Sequence, residues 1–362
     1  MPHATTHATA RVDATATATA TASATAIPPV TALCVDVRMP RSAEVIAAAG
    51  EVLLRAFTIG DADAKLGKIT TMVGSGNIAR IMSVGCGDRA SFNLEAQLAV
   101  TVAVSRALAS SKAKNAIVVG DPIADDKDAL TQFLEFLGRD MAMACYHYTA
   151  TLGTPKPGPT FSKLTVAVDG ISAAKAKQSL SVGATIGNGA NLTRELVNLP
   201  GNVCTPSYLA KEGRALGRKY DKLSVSVLDE KKMASMGMGS LLSVGNGSDE
   251  PSKLIIMKYE GGPAKQAPYC LVGKGITFDT GGISLKPAKG MESMKFDMGG
   301  AGSVFGVMQT VAELGLCHPV RRGRPVVPDR QRLQRLVVQR HLTGRRRVRE
   351  AVSYTHLRAH ET

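Results

Sequence analysis

A chain of 362 residues, 44% of them hydrophobic, is long enough for two domains with separate cores. No uninterrupted apolar run reaches the ~18 residues that a membrane-spanning helix needs. The net charge of +14 suggests a nucleic-acid partner, but +9 of it falls between His318 and Thr362, where twelve arginines face three acids and lysine is absent.

Residues 4–26 are a Thr/Ala repeat with almost no bulky apolar side chains. Such a segment buries too little surface to offset its ordering entropy, so residues 1–31 are expected to form a disordered tail. The segment is poor in acids and rich in hydroxyls, a composition compatible with an organelle transit peptide, and it lacks the apolar stretch of a secretory signal. From residue 32 to 170 the pattern predicts a first domain. It has a strand at Leu33–Val37, a helix at Ala43–Phe57, and strands at Ile69–Val73 and Ala79–Val84 around Gly74-Ser-Gly-Asn. A helix at Ser91–Ser110, a strand at Ala116–Gly120, a helix at Asp128–Tyr148 and a strand at Leu164–Val168 follow. Strands alternating with helices predict an α/β layer structure with a largely parallel sheet.

Residues 171–200 form a linker helix, about Ile171 to Val197, that stops at Asn198-Leu-Pro-Gly-Asn. In the second domain, residues 201–317, Thr205-Pro-Ser opens a helix that runs to Lys219. Strands at Leu223–Val227, Lys253–Tyr259 and Tyr269–Gly273 and a helix at Gly300–Leu314 complete it. This domain also reads as α/β, but cut short. The six cysteines form no CxxC pair and are expected to be reduced thiols of an intracellular protein. Periodicity stops near Cys317, and a body rich in lysine gives way to a tail that uses only arginine. Residues 318–362 therefore read as non-native, from a frameshift or sequencing artefact after about Leu316, with no partner elements for the apolar stretch Leu333–Val338. The rival reading is a genuine basic arm that binds nucleic acid.

The chemistry concentrates in Leu271-Val-Gly-Lys-Gly-Ile-Thr-Phe-Asp-Thr-Gly-Gly-Ile-Ser-Leu-Lys-Pro and its continuation to Met294-Lys-Phe-Asp-Met-Gly-Gly. Lys274, Asp279, Lys286 and Asp297 stand close together among glycine-rich turns. Hard carboxylate oxygens suit divalent metals, and a lysine amine joins them only when neutral, a state that a nearby cation favours. Gly275 can break the strand alternation that would send Lys274 and Asp279 to opposite faces. Taken alone, each charge is an ordinary turn residue, and Asp297 could simply cap the last helix. Between Ala32 and Cys317 the only histidine is His147, placed inside the predicted helix. That count argues against a His-rich zinc site and against Ser–His or Cys–His relays. Lys274 is followed by glycine, so the segment is not a P-loop. A carboxylate–lysine metal site remains.

At these residues the chain resembles the leucyl aminopeptidase family of cytosolic two-metal exopeptidases. Gly273 to Pro287 and Met294 to Ala301 match its first signature block, and Thr193-Arg-Glu-Leu-Val-Asn-Leu-Pro-Gly-Asn-Val-Cys-Thr-Pro resembles the opening of its catalytic domain. The likeness is strong from Ala190 onward and weaker back to Leu33. It implies a macro-like N-terminal α/β domain and an incomplete mixed-sheet metallopeptidase domain. It implies two divalent cations, Zn²⁺ or Mn²⁺, with Lys274 and Asp297 on the tighter one and Asp279 bridging both. Lys286 would be the catalytic lysine that polarises the peptide carbonyl, and Met294 would line the pocket for the N-terminal side chain. The resemblance further implies peptide substrates with leucine preferred, a hexamer and a cytoplasmic location. One departure stands out. The family's second signature, an Asn-Thr-Asp-Ala-Glu-Gly-Arg loop, should stand near position 356, where the chain reads Thr355-His-Leu-Arg-Ala-His. An aminopeptidase inactive in this truncated form is the expectation. The alternative is a non-enzymatic protein whose macro-like domain or basic tail contacts nucleotides or nucleic acid.

Overall fold

The computed structural model describes residues 15–17, 31–37, 43–74, 78–120, 126–168, 170–262, 269–316 and 336–338. The chain divides into two units, Met1–Asn188 and Gly189–Thr362, so the boundary falls inside the helix expected to bridge the domains. Among the described residues no helix is long and apolar enough to cross a membrane.

The first unit is built on β1 (Thr15–Thr17), β2 (Thr31–Val37), β3 (Ile69–Val73), β4 (Ile78–Gly85), β5 (Asn115–Gly120) and β6 (Lys163–Ala167). Their order in the sheet is β1-β6-β5-β2-β4-β3. β6 runs parallel to β1 and β5, whereas β2 is antiparallel to both β4 and β5, and β3 to β4. The expected largely parallel sheet is therefore a mixed one. The reason is β2, which inserts between two strands that follow it in sequence, a pairing that local periodicity cannot reveal. β1 is a second difference. Thr15–Thr17 lies in the segment expected to be disordered, yet it pairs with β6, and threonine suits a pleated edge.

Helices cover both faces of this sheet: α1 (Ala43–Thr58) on one, α2 (Leu94–Ser110) and α3 (Lys127–Ala144) on the other. The period of two along β4 explains the division. Ile81 is buried with Leu53 and Ala56 of α1, while its neighbours Met82 and Val84 join Val100, Val104 and Leu108 of α2 and Phe133, Leu134 and Leu137 of α3. α2 starts later than the periodicity suggested. Arg89–Ser91 forms a 3₁₀ turn, and the Asn93 side chain accepts from the Ala96 N–H at 3.1 Å. α3 stops early, at Ala144. His147 is thus in a loop, its Nε2 2.8 Å from the Lys156 carbonyl oxygen, and not in the helix predicted from sequence.

α4 (Ala173–Asn198) sends Ala176 and Leu180 into the core of the first unit and also packs through close backbone contact. In the first unit a Cβ at Gly183 would overlap the Glu135 carbonyl of α3, and one at Gly138 of α3 would overlap the Leu180 carbonyl. Gly183→Val should therefore destabilise the chain by about 1–3 kcal/mol, as overpacking does, read from the urea midpoint at unchanged m-value.

The second unit contains α5 (Pro206–Lys219), β7 (Leu223–Leu228), α6 (Glu230–Ser235), α7 (Gly239–Gly245), β8 (Leu254–Tyr259), α8 (Gly299–Glu313) and β9 (Leu336–Val338). β7, β8 and β9 form an antiparallel sheet in that order. Thr205 caps α5, accepting from the Tyr208 N–H at 3.2 Å, and Pro206 occupies its first turn. Gly213 lets α5 approach Val225, Ile255 and Phe305. α6 and α7, too short for a periodic signal, cover Leu254 with Met233 and Met238. Two expectations are corrected here. Residues 269–273 form no strand, because Gly273 packs directly on the backbone of Gly300 and Ala301 at the start of α8. Leu336–Val338 was expected to have no partner, but it pairs with Ile255–Met257 along the open edge of β8, where β-branched Val337 and Val338 suit a strand. The rest of the expected tail lies outside the described residues.

Candidate metal centre

Backbone geometry at the start of α8 brings the first two charged groups together. The Ala301 N–H donates to the Lys274 carbonyl at 2.8 Å, and a Cβ at Gly300 would stand 2.7 Å from the Lys274 nitrogen. Only glycine permits chains that close. Lys274 then reaches Asp297, with its Nζ 2.7 Å from Oδ1 and 2.6 Å from Oδ2. Asp297 does not cap α8: the N-cap is Met298, and it makes no side-chain cap bond. The bland reading of Asp297 is thereby excluded. Its Oδ2 is shut off from solvent and takes no properly directed hydrogen bond, although the ammonium lies beside it.

A second turn folds Lys286 back over Asp279. The Lys286 N–H donates to the Thr280 carbonyl at 2.9 Å, closing a loop through Gly281 and Gly282 at φ of 92° and 76°, values that favour glycine. Lys286 Nζ stands 2.8 Å from Asp279 Oδ2 and 3.2 Å from its carbonyl oxygen, while the Gly281 N–H donates to Asp279 Oδ1 at 2.9 Å. Partial burial pushes the Asp279 carboxyl up, but the Lys286 ammonium, the Gly281 N–H and a hydrogen bond with Asp297 outweigh it and hold the group at about 2. A carboxyl held below its ordinary value of 3.8 contributes stability that is fully present above that pH and lost as pH falls toward 2. Acid unfolding of the metal-free chain should consequently be less steep in Asp279→Asn over that window, measured by circular dichroism.

The four predicted charges thus form two ion pairs, Lys274 with Asp297 and Lys286 with Asp279, and Asp297 acts in turn on the Asp279 carboxyl. Two oxygen donors and an amine are a donor set for a divalent cation, so the residues present fit one metal. Among the described residues no group of three His, Cys, Asp or Glu gathers anywhere. Met294 is half-buried in the 3₁₀ segment Met291–Met298 that carries Asp297. Sequence reasoning did not find Lys295, whose Nζ donates to the Asn198 carbonyl at 3.3 Å. A lone lysine beside a motif gives no signal until the fold brings the end of α4 against it. Ile283 and Leu285, in the loop leading to Lys286, are exposed. Neither Cys145 nor Cys204 is suited to act as a nucleophile. Burial raises the thiols of Cys145 and Cys204 to about 11 and about 12, and the acid Glu212 adds to the second.

Comparison with known proteins identifies the family. Residues 191–328 match the model of the cytosol aminopeptidase family catalytic domain, and residues 35–153 match that of the family's N-terminal domain. The probable cytosol aminopeptidase of Ralstonia nicotianae is 42% identical over 269 residues, which cover 72% of this chain and 53% of that protein. The corresponding protein of Alkalilimnicola ehrlichii is 40% identical over 281 residues, covering 76% and 56%. The chain therefore spans about half the length of the curated relatives it matches. Among solved structures, the bottromycin maturation enzyme BotP in complex with Mn is 25% identical with a TM-score of 0.62, covering 78% of this chain and 56% of that one. A tomato leucine aminopeptidase variant, at 21% identity, TM-score 0.67 and coverage of 94% and 65%, shares the fold. With both domain models matched in order and relatives at about 40% identity, the chain belongs to the cytosol aminopeptidase family.

Proposed function

We propose that this chain carries the first half of a two-metal aminopeptidase centre, one that in its complete form removes N-terminal residues, leucine preferred, from peptides. The observation that carries the proposal is the approach of Asp279 to Asp297 with a lysine on each. Like charges that close repel unless a proton or a cation lies between them. In this reading Lys274, Asp279 and Asp297 would be the residues that hold metal, Lys274 and Asp297 the tighter cation. When bound, Zn²⁺ or Mn²⁺ would supply the Lewis acidity that makes a water nucleophilic at neutral pH. Lys286 serves the substrate: an ammonium tethered by Asp279 can donate to the peptide carbonyl oxygen and stabilise the negative charge that develops there. Met294 would line the pocket for the N-terminal side chain.

The second signature loop of the family is missing from this sequence, and we infer that the chain in this form is inactive for want of its ligands. Peptide substrates, a hexamer and a cytoplasmic location belong to the same proposal for the complete protein. Titration calorimetry of the full chain with Mn²⁺ and Zn²⁺ tests the reading. One cation should bind, and because Lys274 must lose its proton to become a ligand, uptake should release about one proton, seen by repeating the titration in buffers of different ionisation enthalpy. No binding by the unsubstituted chain would overturn the metal centre.

A further inference from the structure

The turn between α4 and α5 touches both segments that bear the aspartates. It is closed on itself, with the N–H groups of Val203 and Cys204 both donating to the Pro200 carbonyl at 2.9 Å. On one side a Cβ at Gly201 would stand 2.9 Å from the Phe278 Cβ and 3.1 Å from the Thr277 carbonyl oxygen, so glycine here lets the turn abut the backbone immediately before Asp279. On the other side Lys295, two residues before Asp297, donates from Nζ to the carbonyl of Asn198, the last residue of α4. That carbonyl lies at a helix C-terminus, where a cation is favoured. Lys295 is further held over the Phe296 ring, 5.1 Å from its centroid.

We propose that the turn from Asn198 to Cys204 is a positioning element for the metal centre, with Gly201 and Lys295 setting the separation of Asp279 from Asp297. The inference rests on the metal reading given above. Its logic is the lack of regular structure: residues 269–290 contain neither strand nor helix, so beside the Lys286 and Gly281 contacts the place of Asp279 depends on what its backbone leans against. Neither Gly201 nor Lys295 is a ligand in this scheme. Each acts through a neighbour.

The test uses the full chain and Mn²⁺ as the probe, comparing the unsubstituted protein with Gly201→Val, Lys295→Gln and Lys295→Arg. Partners of ligands outside the coordination shell are ordinarily worth about 10–100-fold in metal affinity. Lys295→Gln and Gly201→Val should each weaken Mn²⁺ binding by about tenfold or more, with the far-ultraviolet spectrum and urea midpoint of Lys295→Gln unchanged. Lys295→Arg, which keeps the charge and the donor, should restore the affinity. Because Gly201→Val also risks unfolding the turn, the Lys295 pair decides the matter. Unchanged affinity in Lys295→Gln, or equal loss in Lys295→Arg, overturns the inference while leaving the metal centre intact. An unsubstituted chain that binds no Mn²⁺ overturns the metal reading first, and the positioning role with it.

Discussion

Asp279→Ala should empty the centre, whereas Lys286→Ala should leave it loaded and slow. On the proposed reading Asp279 belongs to the donor set, and its carboxyl responds to Asp297. Its removal takes away one of the two carboxylates and leaves Asp297, already paired with Lys274 at 2.6 Å, as the remaining one. Metal content by elemental analysis should fall to background. Lys286 touches the centre only through Asp279. Its loss frees a carboxylate for ligation, so metal content should hold. In a chain extended to the full length of its relatives, turnover should nevertheless drop by about 10²-fold or more, the usual size of a lost transition-state donor. Equal metal loss in the two variants would sink the division of roles.

The second large effect is an absence of activity. The 362-residue chain should give no measurable hydrolysis of a leucyl amide, even with excess Mn²⁺ or Zn²⁺. Two carboxylates and one amine would satisfy most of one cation's needs and little of a second's, and the proposed chemistry calls for both. The assay belongs beside a version carrying the missing signature loop, which should turn over. Activity of the shorter chain at the level of the longer would show that the second set of ligands comes from residues no motif identifies.

Much of this arrangement was legible in the sequence, for reasons that also explain the failures. α2, α3 and α5 announce themselves because one face of each is apolar at helical spacing and a capping side chain marks the start. The convergence of Lys274, Asp279, Lys286 and Asp297 was legible because glycine-rich turns between charged residues leave few other uses for them. Pairing partners were not legible. β2 looks like any apolar strand, and nothing in Thr31–Val37 says that it runs antiparallel to β5. Tyr269–Gly273 has the composition of a strand, but a strand needs a ladder, and its glycine is spent on contact with α8. The positioning contacts escaped for the same reason: the Asn198 carbonyl and Lys295 are joined by tertiary structure alone.

The stretch from 269 to 290 has a consequence for the chain in a cell or a tube. It holds Lys274 and Asp279 without regular secondary structure, steadied by ion pairs that are partly exposed and therefore weakened by salt. On the proposed reading, order in this loop and occupancy by a cation are one equilibrium seen from two sides. Stability then rises with the logarithm of free cation once it exceeds the dissociation constant. A chelator would act on this protein as a mild local denaturant, and a purification step that strips cations would change which state of the loop reaches the bench.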